Sequence, residues 1–194
     1  MSQQNDSFER RVADLLPDGL TARQGVFRWA SIHEPMPTEL QLIRDLYRYN
    51  SKSRQGYLRK IWRLPPKERY RDRGASFPSM VDIYMHILDA YRWWFVKVYA
   101  NTDFDEYPLG RRYSLAEARR ETRKVDRIVD RVLRGLRARD LDRKITLPTR
   151  RREQVTLRTM LVHMVEEELQ HKGELNALLW QLDVDAPVWG YDGK

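Results

Sequence analysis

Residues 157–184 read LRTMLVHMVEEELQHKGELNALLWQLDV. Met160, Met164, Leu175 and Leu178 recur at intervals of three, four and eleven, the period of a helix with one apolar face. Thr156 stands where an N-cap belongs, Val155 and Met160 are placed to staple it, and DVDAP ends the pattern before Pro187. This stretch also holds two of the four histidines of the chain, His163 and His171, on either side of Glu166, Glu167 and Glu168. A solvated charged face and half of a metal site both fit such a pattern.

The rest of the chain supplies partners for this helix. From Thr38 to the Pro65-Pro66 stop, Leu40, Ile43, Leu46, Tyr47, Tyr57, Leu58, Ile61 and Trp62 follow helical spacing, weakened by SKSRQG at 51–56. Ser79 and Asp82 read as a capping box ahead of a second apolar stripe, Met80, Ile83, Ile87, Ala90, Trp94 and Val98, which should fail near Ala100. Ser114 and Glu117 read as another, opening a charged third helix with Leu115, Val125, Ile128, Val129, Val132 and Leu136 on its narrow buried side. Four helices, no alternating strand pattern and no internal repeat predict an all-α four-helix bundle. Its expected limits are residues 38–185, behind an N-terminal extension (1–37, with a short helix around SFERRVADLL) and ahead of a C-terminal tail (186–194).

Composition narrows the chemistry. The chain has 194 residues, 41% hydrophobic and 33% charged, enough for one well-developed core. Cysteine is absent, which excludes disulfides, thiolate metal ligands and a cysteine nucleophile together. No apolar run reaches the roughly 20 residues that span a bilayer, and no signal peptide is visible behind MSQQNDSFERR, so a cytoplasmic protein without membrane contact is expected. The net charge of +8 permits contact with nucleic acid, but no nucleic-acid motif accompanies it.

Facing follows from about 100° per residue. With Met160 at zero, Glu167 falls at about −20° and His171 at about 20°, within the arc of Met164 and Leu178. Glu168 falls at about 80°, His163 at about −60° and Glu166 at about −120°. Glu167 is therefore the glutamate expected to face the core, where its charge needs a compensating cation. Glu167 and His171 are four apart, side by side on one helix. His86 shares an arc of the second helix with Ala90 and Trp93 and is the candidate third ligand. Two imidazoles and one carboxylate suit zinc, nickel, iron or manganese and leave positions open for water and substrate. The competing readings are a hydrogen-bonded core histidine at 86 and a Glu167 paired with an arginine from a neighbouring helix.

Beyond these residues lies a resemblance. LYRYN at 46–50, FPSMVDIYMHILDAYRWW at 77–94 and the H-x7-H-[KR]-G run within 157–184 resemble the DinB-like family of metal-binding four-helix bundles, over roughly residues 38–185. The resemblance implies a metal held by His86, by the position of Glu167, where most relatives carry histidine, and by His171. It further implies activation of a low-molecular-weight thiol such as mycothiol, bacillithiol or glutathione for attack on an electrophile. The sulfur would then arrive with the cosubstrate, in keeping with a chain that has no cysteine. Asp89 and Tyr47 are secondary candidates for supporting the ligands or facing the substrate, and Gly173 is expected to permit close helix packing or a local adjustment behind His171.

A homodimer is expected on either reading. The alternative function is a non-catalytic basic bundle that binds nucleic acid or acts as a dimeric regulatory scaffold. Its support is Arg150-Arg151-Arg152, the cluster Arg119, Arg120, Arg123 and Lys124, and aromatics at Trp93–Phe95 and PVWGY.

Overall fold

Helix α1, Glu39–Arg63, opens where Thr38 accepts the Gln41 N–H and closes at Leu64, ahead of the paired prolines. The coordinates, a computed structural model, describe residues 37–187. The expected extension through residue 36 and tail residues 188–194 lie outside the described residues. SKSRQG does not interrupt α1. Ser53, Arg54 and Gly56 are buried in its middle, so the polar break in the pattern is part of the inward face. A Cβ on Gly56 would sit 2.6 Å from the Pro187 Cβ, so the absent side chain lets the end of the last segment cross here. After a single helical turn at Pro66–Arg69, Arg69 returns to the carbonyls of Trp62 and Leu64 and satisfies the orphan acceptors at the end of α1.

Helix α2, Met80–Arg92, is capped by Ser79 and continues as a π-helix over Trp93–Tyr99. The expected capping box is altered. Ser79 accepts the Asp82 N–H, but the Asp82 carboxylate takes the Ser79 hydroxyl and, at 2.7 Å, the Gly110 N–H. It thereby anchors the loop that follows. Helix α3, Leu115–Gly135, carries the full Ser114–Glu117 box. Its buried residues are Ala118, Thr122, Val125, Val129 and Leu133, with Leu115, Ile128 and Val132 half-buried. A 3-10 turn, Ala138–Asp142, leads to the last helix, α4, Leu157–Trp180, capped by Thr156.

The sequence reading found no strands, and here it needs correction. Strands β1 (Lys144–Thr146) and β2 (Gln154–Thr156) form an antiparallel hairpin with Ile145 opposite Val155. Three residues per strand, one of them apolar, are too few to show alternation. Arg150 to Arg152 lie in its exposed connection, and Arg152 takes a left-handed φ of 49°.

Each of α1 and α2 packs against both α3 and α4. Ile61, Ile83, Leu88, Leu157 and Leu161 are fully buried, each contributing ~1.5–3 kcal/mol by leaving water. Polar ties set the register. Tyr47 donates to the Leu161 carbonyl at 2.9 Å, Tyr57 to Asn176 at 2.5 Å, and the Trp62 indole to the Tyr113 carbonyl at 3.0 Å. Trp94 and Phe95 belong to the core, so the expected exposed aromatic patch at Trp93–Phe95 is not there.

Candidate metal centre

His86, Asp89 and Ala90 on α2, with Trp93 and Trp94 from its π-helical continuation, form one wall of a cavity of about 400 Å³. Across it, α4 presents His163 and Glu167, with His171 one turn further on. His86, Glu167 and His171 each offer a donor atom, and these three atoms lie within 4.8 Å of one another. His86 Nε2 is 3.6 Å from Glu167 Oε1, and the two imidazole rings meet edge to face at 4.8 Å. Phe77 stacks on His86 at 4.0 Å and touches the edge of His171 at 5.8 Å, fixing both rings from the loop before α2.

Electrostatics favour a charged Glu167. The adjacent His86 ring holds this carboxyl below the usual range, against the opposing effect of burial and with help from His163 and His171. Glu167 Oε2 lies 3.2 Å from His163 Nε2, so both of its oxygens face imidazoles. His163 itself is half-exposed, rests against the Trp94 ring, and is not among the three converging donors.

His171 is oriented from behind. Its Nδ1 shares a hydrogen bond of 3.2 Å with Glu174, whose Oε2 also accepts the Ser76 hydroxyl at 2.6 Å. A carboxylate on one ring nitrogen sets the tautomer and leaves Nε2 as the nitrogen free of protein. The donor set therefore suits a divalent ion: two imidazoles, one carboxylate, an orienting acid, and an open side toward the cavity. Ligands in a tetrahedral zinc site stand about 3.4 Å apart, so the longest of these gaps closes with a movement of about an ångström. Sequence spacing alone did not reveal Glu174, although it lies three residues after His171, a helix neighbour.

The buried glutamate is not the expected one. Glu168 is fully buried, whereas Glu167 lines the cavity. Arg54 donates to Glu168 Oε2 at 2.5 Å and to Asp126 at 2.6 Å, and Tyr91 donates to the same Glu168 oxygen at 2.5 Å. Lys172 Nζ lies 3.1 Å from Glu168 Oε1, close enough to pair but not aligned for a hydrogen bond, and donates to Asn50 at 2.7 Å. Burial works against the Arg54 charge, but Glu168, Tyr91 and Asp126 outweigh it and raise its pKa. Burial lowers the pKa of Lys172, and Glu168 opposes that shift. Beside Met160, Met164, Leu175 and Leu178, the buried face of α4 includes Leu161, Val165 and Leu179, which rotate the buried arc toward Glu168.

The remaining expectations divide. Asp89 does line the cavity, accepting the Tyr107 N–H at 2.7 Å and Arg92 at 2.9 Å, and burial pushes its pKa up to about 6. Tyr47 is spent on the Leu161 carbonyl in the core and does not reach this cavity. Gly173 is exposed, with nothing within 4 Å of an added Cβ, so close packing does not explain it. Arg119, Arg120, Arg123 and Lys124 are exposed on α3, and Arg120 and Lys124 pair with Glu121. Among the described residues no helix is long and apolar enough to cross a membrane.

No curated protein matches the chain. The crystal structure of a DinB-like protein from Bacillus subtilis, YjoA, shares the fold with a TM-score of 0.53 at 17% identity, over 74% of this chain and 96% of that one. The DinB family profile matches residues 36–191, which take in all four helices and the three converging donors. The chain belongs to the DinB family.

Proposed function

We propose that His86, Glu167 and His171 bind a divalent ion, zinc, nickel, iron or manganese, and that the adjoining cavity is a substrate site of a metal-dependent transferase. The observation that carries this reading is the convergence of three donors from two helices at the wall of an open cavity. A bound ion would supply Lewis acidity that makes a coordinated low-molecular-weight thiol a thiolate at neutral pH. The chain's own part is to hold the donors. Phe77 restrains both imidazoles, Glu174 selects the His171 tautomer, and Glu167 contributes a charge that stays ionised. Replacing a neutral imidazole by a carboxylate lowers the charge of the donor set by one and favours a harder ion.

Elemental analysis of protein purified without an affinity tag tests the centre. Stoichiometric metal that vanishes in His171→Ala supports it, and metal-free protein that takes up none of the four ions on reconstitution contradicts it. A transfer assay pairing several small thiols with a generic electrophile tests the reaction, with the same variant as the control.

A further inference from the structure

The chain carries 36 Lys and Arg against 28 Asp and Glu, yet among the described residues no Lys or Arg side chain lines the cavity beside His86. Its walls are aromatic instead: Phe77, Trp93, Trp94, Phe104 and Tyr107. Three carboxylates line it, Asp89, Glu106 and Glu167. Asp89 is matched by Arg92, which lies against the Phe104 and Tyr107 rings at 4.5 and 4.3 Å and also donates to the Asp105 carbonyl. Glu167 faces the imidazoles. Glu106 has no ion-pair partner among the described residues, and its charge adds to the burial that raises the pKa of Asp89. The lining therefore sets one unmatched carboxylate, Glu106, beside the indoles of Trp93 and Trp94, while the Phe104 and Tyr107 rings are taken by Arg92 and the Phe77 ring by His86.

We infer that this cavity takes a flat apolar or aromatic group bearing a positive charge, an arylalkyl amine or ammonium, with Glu106 and the indoles of Trp93 and Trp94 as its recognition elements. Anions of the same shape are rejected by Glu106. Aromatic rings attract an organic cation through the ring quadrupole, and the nearby exposed carboxylate adds a solvent-screened attraction. The inference rests on the proposed function in one respect only: the cavity it describes is the one read there as the substrate site beside the donor cluster. The recognition itself needs no ion.

Calorimetric titration of chelator-treated protein at neutral pH with 2-phenylethylamine, 2-phenylethanol and 3-phenylpropionate tests it. The amine should bind about tenfold tighter than the alcohol, and the acid weakest of the three. Glu106→Gln, at an exposed position, should bring the amine to within about threefold of the alcohol and leave the alcohol unchanged, while Trp93→Ala should weaken both. The inference is overturned if the acid binds as tightly as the amine, if amine and alcohol are equal, or if none binds up to about 10 mM. Metal content measured on each preparation before chelation, and again after reconstitution, separates the two claims. Amine preference without metal uptake defeats the proposed centre alone, and stoichiometric metal without amine preference defeats this inference alone.

Discussion

Two adjacent glutamates on one helix have opposite surroundings. Glu168 is sealed among Arg54, Tyr91 and Lys172, and Glu167, one residue earlier, faces an open cavity with His86 and His163. In the sealed cluster two cations meet two carboxylates, counting Asp126, and the groups are consumed by one another. In the open cluster the donors converge, and among the described residues their ion pairs involve no cation other than imidazole. A polar group that is fully matched inside the protein stabilises the fold or selects its register, whereas one left facing a cavity is available to something from outside. The sealed cluster also sets the rotation of α4, since burying Glu168 and Lys172 turns Glu167 to the cavity and His171 toward His86.

The largest effect should come from Glu168→Gln. It leaves buried Arg54 with Asp126 as its carboxylate and buried Lys172 with the neutral Asn50 oxygen, and should cost about 3–5 kcal/mol in urea unfolding. Glu167→Gln should change metal-free stability by less than about 1 kcal/mol. If the two variants unfold alike, the division between sealed and open carboxylates is wrong.

Next comes the ion itself. His171→Ala should weaken metal binding at least about 100-fold, with Tm in chelator little changed. Glu174→Ala should weaken it by about 10- to 100-fold while keeping one ion per chain, read by competition with a chelating dye. An unchanged affinity would mean that the His171–Glu174 hydrogen bond orients nothing.

Acid titration gives a smaller signal. The folded pKa of Glu167 lies below its ordinary value of 4.5, so its ionisation stabilises the fold above that value, and the contribution is lost as pH falls through the folded pKa. Between about pH 5 and pH 3 the metal-free native protein should lose stability that Glu167→Gln keeps. Parallel stability curves for the two proteins would contradict the depressed value. Smallest of all, Gly173→Ala has open space around the new methyl and a helical backbone, and should raise stability by about 0.5–1 kcal/mol. A loss of stability there would restore the packing role that the coordinates deny it.

Much of the architecture is local in origin and could be read from the chain. Thr38, Ser79, Ser114 and Thr156 each cap a helix where the pattern places one, and Pro65-Pro66 ends α1 as expected. The pairing of Glu167 with His171, and the placing of His86 on the same arc as Ala90 and Trp93, follow from helix periodicity in the same way. Periodicity reports which residues of one helix share a face. It does not report which partner cancels a charge.

That second question was decided by tertiary structure. Arg54 reaches Glu168 across 114 positions of sequence, and no local rule distinguishes a buried arginine in SKSRQG from a solvated one. Ser76 and Glu174 meet across 98 positions to set the His171 ring, and the cavity closes only when the loop anchored on Asp82 and Asp89 brings Phe104, Glu106 and Tyr107 over α2. Helix formation depends on neighbours three and four residues away, while burial, charge compensation and cavity shape depend on which faces of distant helices come together.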